Sequence, residues 1–447
     1  MSIFKKHVSL LIILVIAFAL RASLLIVAFQ HPERAFQLDS LTYVEPALKL
    51  LGEGLYPETA YRTPVYPLFI AAIYSVFGPH PQAVIAGQVI IGMFSVLLTY
   101  ILGLRLVCRR TAIIAALLMA INVESITHTF YILSETLFTF LLLLSLLALI
   151  QFWQKGGRFL LPISAITMAV ATLCRPITQY LPVLVAILIV FGLRQLAWRQ
   201  RFFAAATYLI VFIVTLGPWI ARNYYLCGIP AVSTIESYSM LGYNAATVEA
   251  YLSRGSEEAA RRKLQDQVNA QMAASGLADN DINRSRVQNQ LAHQIIFGYP
   301  AIFLYMHLKG DLNSLLPDAT GTMEILGLTV GGKGTLSVLN QQGVVAAVEH
   351  YFGGSMWLLW LFSPLILLLV LNYFFFLVGA VVLASKKEWF VFWVLLIPIM
   401  YLLLLPGAAS MARFRVPVMP YLCVIAGFGI QVAGQYAKCI LGRKPMR

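Results

Sequence analysis

The chain is predicted to be an all-α polytopic membrane protein, and three observations predict it. Of its 447 residues 60% are hydrophobic and only 11% charged, with mean hydropathy +0.80; soluble domains are nearer half apolar and a quarter charged. The apolar residues gather into runs long enough to cross a bilayer, for which about 20 residues are needed. The basic residues fall in small groups between those runs, as the positive-inside rule requires. About 10 transmembrane helices are expected on this pattern, with 11 or 12 left open.

Taken in order, the first span covers roughly 8–29 behind Lys5 and Lys6. The opening "MSIFKKHVSLLIILVIAFALRASLLIVAF" is too long for a signal peptide and lacks a small-x-small cleavage site, so it is expected to stay as a helix. A loop over 30–81 follows, in which 64–77 is apolar but short and punctuated by proline. That segment is expected as an interfacial helix, a re-entrant hairpin being the alternative. Further spans are expected near 82–106, 111–123, 135–153, 159–173, 177–193 and 202–220, and a last group near 356–384, 389–406 and 416–436.

With ten spans, Lys5 and Lys6, Arg105 to Arg110, Lys155 and Arg158, Arg194 to Arg201, Lys386 and Lys387, and Lys438 to Arg447 share one face. That face is the cytoplasm, with both termini inside. The loops 30–81, 124–134, 222–355 and 407–415 then lie outside. Three regions follow: an N-terminal transmembrane catalytic module over 1–225 that includes loop 30–81, an external helical region over 226–355, and C-terminal transmembrane helices over 356–447. Only 226–355 has a soluble composition. In it "SEEAARRKLQDQVNAQMAASG" and "DINRSRVQNQLAHQIIFGYPAIFLYMHL" read as amphipathic helices, and "TGTMEILGLTVGGKGTLSV" as a mobile Gly-rich loop.

Several function classes drop out. The net charge of +13 is spread between spans rather than concentrated, so nucleic acid is not an expected partner. The five cysteines, Cys108, Cys174, Cys227, Cys423 and Cys439, have no CxxC spacing and suit small packing positions. No HExxH or paired histidine spacing signals a metal, and no cofactor is called for. A divalent metal stays open. No internal repeat is visible, which argues mildly against a repeat-built transporter.

The chemistry-bearing residues cluster at the expected outer ends of spans. Asp39 lies in the first loop beyond the end of a helix, and Glu135 opens a span in "YILSETLF". An acid favours a helix N-terminus, with Ser134 as its cap, so Glu135 has a structural explanation that Asp39 lacks. Five arginines oppose the positive-inside trend: Arg62 in "YRTPVYP", Arg175 in "CRPITQY", Arg222 beside Asn223 in "GPWIARNYYLCGIP", and Arg413 and Arg415 in "ASMARFRVPVMP". A single such arginine anchors lipid headgroups, whereas several together suit an anion, because guanidinium binds phosphate bidentately. Two carboxylates and an external anion site in an aromatic-rich membrane body suggest group transfer from a polyprenyl phosphate. One carboxylate would take the proton of an acceptor hydroxyl while arginines stabilise the departing phosphate.

The segments "LDSLTYVEPALKLLGEG", "YRTPVYPLFIAAIYSVFG", "LSETLFTFLLLL", "LCRPITQYLP", "GPWIARNYYLCGIP" and "RFRVPVMPYLCVIAG" occur in an order that resembles the C-type (GT-C) membrane glycosyltransferases. The resemblance is to the dolichyl-phosphate-mannose protein mannosyltransferases and the bacterial aminoarabinose transferases, over roughly 1–225 and 385–436. It implies Asp39 as catalytic acid/base and Glu135 as the second acidic position. It also implies Arg62 as a ligand of the lipid phosphate; Arg175, Arg222, Arg413 and Arg415 are further candidates from their positions at outer helix ends. Tyr43, Tyr61, Tyr66 and Asn223 would line the substrate pocket. The sequence departs from the eukaryotic pattern in placing Ser40, not a second acid, after Asp39.

The expected function is an inverting hexosyl or pentosyl transferase with a polyprenyl-phosphate sugar donor. Its acceptor would be a lipid, glycan or protein at the outer face of a bacterial inner membrane. A flippase or transporter for lipid-linked saccharide would want charges deep in several helices, for which Arg21 is the main candidate here. A polysaccharide polymerase or ligase shares arginine-rich external loops but not the early Asp loop. A structural scaffold leaves the external arginines unexplained.

Overall fold

The computed structural model describes residues 2–37, 39–193, 195–328, 335, 338 and 342–440. Among the described residues the chain is helical and has no strands. Its helices are α1 (Ser2–Gln30), α2 (Leu41–Glu53), α3 (Val65–Phe77), α4 (Pro81–Leu106), α5 (Arg109–Ala120), α6 (Val123–Thr127) and α7 (Glu135–Lys155). Next come α8 (Leu160–Cys174), α9 (Leu181–Gly192) and α10 (Trp198–Cys227). The large loop region holds α11 (Ile235–Ser239), α12 (Ala246–Ser253), α13 (Glu257–Ala274), α14 (Asp281–Gly298), α15 (Pro300–Asn313), α16 (Thr320–Leu326) and α17 (Val344–Tyr351). The chain returns through α18 (Met356–Ser385), α19 (Trp389–Leu404) and α20 (Met419–Ile440).

The chain is a polytopic membrane protein, and among the described residues six helices are long and apolar enough to cross a membrane: Val8–Gln30, Pro81–Leu106, Glu135–Lys155, Trp198–Cys227, Trp357–Ser385 and Ala412–Lys438. The other expected spans are also helices but shorter. α5, with 12 residues, reaches only about 18 Å against a hydrocarbon core of about 30 Å. The count of ten is therefore not established by helix length.

The centre of the bundle is α20, apolar all round and buried from Met419 to Gly429; such a helix belongs inside. It packs on α18 and α5, while α4 bridges α1, α5 and α7, and α10 covers α8 and α9. Close approach of α18 and α20 rests on glycine. A Cβ on Gly379 would collide with the Ile425 carbonyl, and one on Gly429 with the Phe375 carbonyl. Small residues at helix crossings are the usual means of tight packing in a bilayer.

Arg21, the mid-span exception, is fully buried and donates to the carbonyls of Ala17 (3.3 Å), Ala120 (3.0 Å) and Met119 (3.4 Å). It satisfies the buried C-terminal carbonyls of α5, a structural task for a cation at a helix C-terminus.

The loop regions differ from expectation in four places. Loop 30–81 holds α2 as well as the expected helix at 65–77; α2 buries Tyr43, Val44, Pro46 and Ala47 along one face and ends at Gly54 in a left-handed cap (φ 71°). α10 runs on to Cys227, so Arg222 and Asn223 lie inside a helix and not in a loop. The expected second amphipathic helix is two, α14 and α15, divided where Pro300 removes an amide donor. Of the Gly-rich segment 320–338, residues 320–326 form α16, and most of the remainder lies outside the described residues.

α13 and α14 each begin with a side-chain cap, Ser256 accepting from the Ala259 amide and Asn280 from the Asn283 amide. They pack with α12 around their own apolar cluster, which includes Leu264, Val268, Val287 and Ile296. Asp281, at the start of α14, accepts from Thr59 Oγ1 (2.8 Å) and the Ala60 amide (2.9 Å). That clamp fixes the loop region over the loop between α2 and α3, where the site lies.

Candidate active site

Asp39 sits in the turn that opens α2. Gln37 N–H donates to Ser40 Oγ at 2.9 Å and Thr42 Oγ1 donates to the Asp39 carbonyl at 2.6 Å, closing that turn. Arg62 comes from the loop between α2 and α3, Glu135 from the first turn of α7, and Arg175 from the end of α8. Arg413 arrives on the 3₁₀ segment Ala412–Val418, just before α20.

These five side chains form one chain of alternating charge. Arg62 Nη2 pairs with Asp39 Oδ1 at 2.9 Å, and Arg413 Nη1 donates to Asp39 Oδ2 at 2.7 Å. Arg413 Nε stands 4.0 Å from Glu135 Oε1, which also forms a close ion pair with Arg175. Three guanidiniums against two carboxylates leave one positive charge over in the cluster.

The remaining donors of Arg62 are used locally. Arg62 Nε donates to Thr42 Oγ1 (2.8 Å) and Nη1 to Tyr43 Oη (3.1 Å), and its guanidinium lies 4.4 Å over the Tyr43 ring and 4.9 Å over Tyr61. A headgroup anchor needs an exposed charge, and Arg62 is 7% exposed. Tyr43 Oη is 3.3 Å from Ser134 Oγ, which accepts from Arg175 Nη1 at 3.5 Å. Ser134 makes no side-chain cap on α7; its hydroxyl joins the network instead.

Burial alone would raise the Asp39 carboxyl, but Arg413 and Arg62 more than offset that and hold it below the usual carboxylate range. Burial would lower Arg62, and the Tyr43, Tyr61 and Asp39 oxygens more than offset it. Burial raises the Tyr61 hydroxyl. The acids also differ in access: the Asp39 side chain is 30% exposed and that of Glu135 1%.

The cluster lines a cavity of about 250 Å³ together with Tyr43 and Tyr61. Asp39, Glu135, Arg62, Arg175, Arg413, Tyr43 and Tyr61 are thus brought together. The other four expected site residues are not. Arg222 is held between Tyr56 and Trp219 and donates to the carbonyls of Thr59 (2.9 Å) and Pro57. Asn223 is buried and donates to the Ala231 carbonyl at 2.9 Å. Tyr66 is buried behind Tyr43, donating to Gln88 Oε1 at 2.9 Å. Arg415 is fully buried, ion-paired with Glu124, and donates to the carbonyls of Ser314 (2.8 Å) and Leu316 (3.0 Å).

Sequence reasoning missed other parts of the wall, among them Gln179 and Tyr180 after α8, Glu236, Tyr238, Tyr243 and Asn244 from 235–244, and Phe414. Gln179 and Tyr180 lie within five residues of Arg175 and were within reach of a local reading. Nothing in the composition of 235–244 marks it. Among the described residues no group of three or more His, Cys, Asp or Glu is arranged to hold a metal ion.

Residues 61–220 match the family model of the dolichyl-phosphate-mannose-protein mannosyltransferases. That stretch contains Arg62, Glu135 and Arg175, while Asp39 and Arg413 fall outside it. No curated protein matches the chain by sequence. The fold is similar to that of the archaeal oligosaccharyltransferase AglB from Archaeoglobus fulgidus, solved with an inhibitory peptide and a dolichol-phosphate. That similarity has a TM-score of 0.51 at 15% identity and covers 99% of this chain and 53% of that one. The Archaeoglobus fulgidus oligosaccharyltransferase tethered to an acceptor peptide gives 0.51 at 14% identity, covering 100% and 52%. This chain spans about half the length of those structures. The resemblance drawn from the sequence is borne out: the chain matches the dolichyl-phosphate-mannose-protein mannosyltransferase family over residues 61–220 and shares the oligosaccharyltransferase fold over nearly its whole length.

Proposed function

We propose that the protein is an inverting glycosyltransferase that moves one sugar from a polyprenyl-phosphate carrier to an acceptor hydroxyl. The observation that carries this is the alternating cluster Arg62–Asp39–Arg413–Glu135–Arg175 on one cavity of about 250 Å³. The acceptor oxygen attacks the anomeric carbon from the face opposite the phosphate and its proton passes to Asp39. The bond from the anomeric carbon to the phosphate oxygen breaks, and the phosphate leaves with the electron pair. Arg62, Arg175 and Arg413 supply the cationic surface for the charge that develops on the phosphate.

Asp39 is the base and Glu135 the positioning acid, because only Asp39 has access to a substrate. Glu135 holds Arg175 and Arg413 on the cavity. Arriving phosphate competes with Asp39 for Arg413 and Arg62, so Asp39 gains basicity as the donor binds. A dolichol-phosphate was bound to the archaeal enzyme of similar fold, and the same class of carrier suits this cavity. A carrier flippase is less well supported, since Arg21 serves as a helix-end cap and not as part of a polar path.

We place the site at the outer face of a bacterial inner membrane, with both termini cytoplasmic, on the distribution of basic clusters. Region 226–355 acts as an external cover on a 1–225 catalytic module, and 356–447 contributes Arg413. The test is release of polyprenyl phosphate from a polyprenyl-phosphate hexose or pentose by purified protein given envelope lipid or glycan acceptors. Failure across hexose and pentose donors, with the protein folded, contradicts the proposal.

A further inference from the structure

We infer that the wall built by 235–244 is the sugar subsite of this cavity, made for a donor sugar that is rich in hydroxyls and not acidic; the inference rests on the glycosyltransferase proposal above. Four observations meet there. Asn244 lines the cavity, is 6% exposed, and its Oδ1 has no hydrogen-bond partner among the described residues. Buried amide oxygens are nearly always paired, so an unpaired one on a residue of the cavity wall is a spare acceptor. Met240–Ala245 is a π-helical turn, and the extra residue in that turn sets both Tyr243 and Asn244 on the cavity.

Glu236 is the cavity's one carboxylate that pairs with no arginine there. It accepts instead from Gln179 Nε2 (2.7 Å) and Tyr180 Oη (3.3 Å), both neutral donors, and it is exposed. A carboxylate has about four lone-pair positions, so capacity remains. The Tyr61 ring meets Tyr238 edge to face at 6.2 Å, and Tyr238 meets Tyr243 at 6.3 Å. Tyr61 is also the ring beneath Arg62, at 4.9 Å, so the aromatic wall begins one ring away from the charged cluster.

The subsite therefore offers hydrogen-bond acceptors and ring faces, and the cation packed on it, Arg261 at 4.4 Å over the Tyr243 ring, is ion-paired with Glu257 at 3.6 Å. Its complement supplies donors and C–H faces, which a neutral pyranose does. A uronic acid would bring its carboxylate to a wall whose own charged lining group, Glu236, is an anion. An amino sugar shares the donor chemistry, and the experiment separates it from a neutral one.

The experiment measures binding to the full chain in lipid nanodiscs. The probes are polyprenyl-phosphate hexose, the corresponding amino sugar and hexuronate, and the methyl phosphodiester of the same lipid. The methyl ester keeps a single negative charge, so any preference over it reports the sugar alone. Wild type should bind the hexose or amino sugar about tenfold or more tighter than the methyl ester, and the hexuronate no tighter. Asn244→Leu and Glu236→Gln should each reduce that preference about five- to tenfold while the methyl ester binds as before. A Glu236→Gln loss confined to the amino sugar identifies that sugar as the ligand. Tyr238→Ala, at a half-exposed ring, gives the same readout if Asn244→Leu does not fold. Equal binding of hexose, amino sugar and methyl ester by wild type overturns the inference and leaves the phosphate site standing, as does a preference intact in every variant. Binding of none of the four lipids overturns the donor proposal and this inference with it.

Discussion

Arg413 donates to Asp39 Oδ2 at 2.7 Å across 374 positions of chain, while its Nε stands 4.0 Å from Glu135. It touches both acids of the cluster. The other four members come from the first 175 residues, so the C-terminal helices complete a site that the N-terminal half begins. Arg415, two positions on, fixes the segment by its buried pair with Glu124 and its bonds to the Ser314 and Leu316 carbonyls.

Arg413→Gln should move the acid limb of kcat/KM to higher pH. Burial raises the Asp39 carboxyl and the two arginines more than offset this, Arg413 having the larger effect. Without Arg413 the carboxyl protonates at a higher pH. The sign for stability agrees. A depressed folded value contributes stability above the unfolded carboxylate value of about 3.9, and that contribution disappears as pH falls through the folded value. An acid limb in the same place as wild type would mean that Arg413 does not set the state of Asp39.

Arg62 should show a graded series, wild type above Lys above Ala, in turnover at matched folded protein. Its three nitrogens serve Asp39, Thr42 and Tyr43 separately, and an ammonium cannot reproduce that fork. Loss of the charge in Arg62→Ala should cost about 2–4 kcal/mol of transition-state stabilisation, on the scale of a lost oxyanion donor. Equal turnover in all three would remove Arg62 from donor binding.

Arg222 and Arg415 should behave as structural residues. Arg415→Met strands Glu124 in a buried position and should destabilise by about 3–5 kcal/mol, the usual cost of breaking a buried pair. Arg222→Met should lower thermal stability in detergent with donor KM unchanged at matched folded protein. A raised donor KM in Arg222→Met would return Arg222 to the phosphate site.

Much of this was legible in the sequence, for reasons particular to each residue. Asp39, Arg62, Glu135, Arg175 and Arg413 carry charge at membrane depth or at helix ends, where charge demands an explanation. The same rule could not separate Arg413 from Arg415, because both are arginines in one short segment and only the three-dimensional fold assigns their partners. Arg222 was misplaced because α10 extends through Pro218 to Cys227, turning an expected loop residue into a helix residue. Asn244 and Glu236 were illegible: they lie in a stretch of soluble composition where polar side chains are ordinary.

A cysteine at position 267 in α13, in a cysteine-free background, should react with an impermeant thiol reagent added to intact spheroplasts. Residue 267 is exposed, so access depends on sidedness and not on burial. Labelling only after the inner membrane is broken would put the cavity on the cytoplasmic side.

The most direct measurement is turnover of a polyprenyl-phosphate sugar by purified Asp39→Asn beside wild type, with folding checked by thermal unfolding. The amide keeps the shape of the carboxylate between Arg62 and Arg413 but cannot take the acceptor's proton. Loss of a general base costs about 10²–10⁴-fold, so turnover should fall by that factor while the variant still unfolds cooperatively. Turnover equal to wild type in a folded Asp39→Asn protein would contradict the account, because the cluster would then hold its central acid for some purpose other than catalysis.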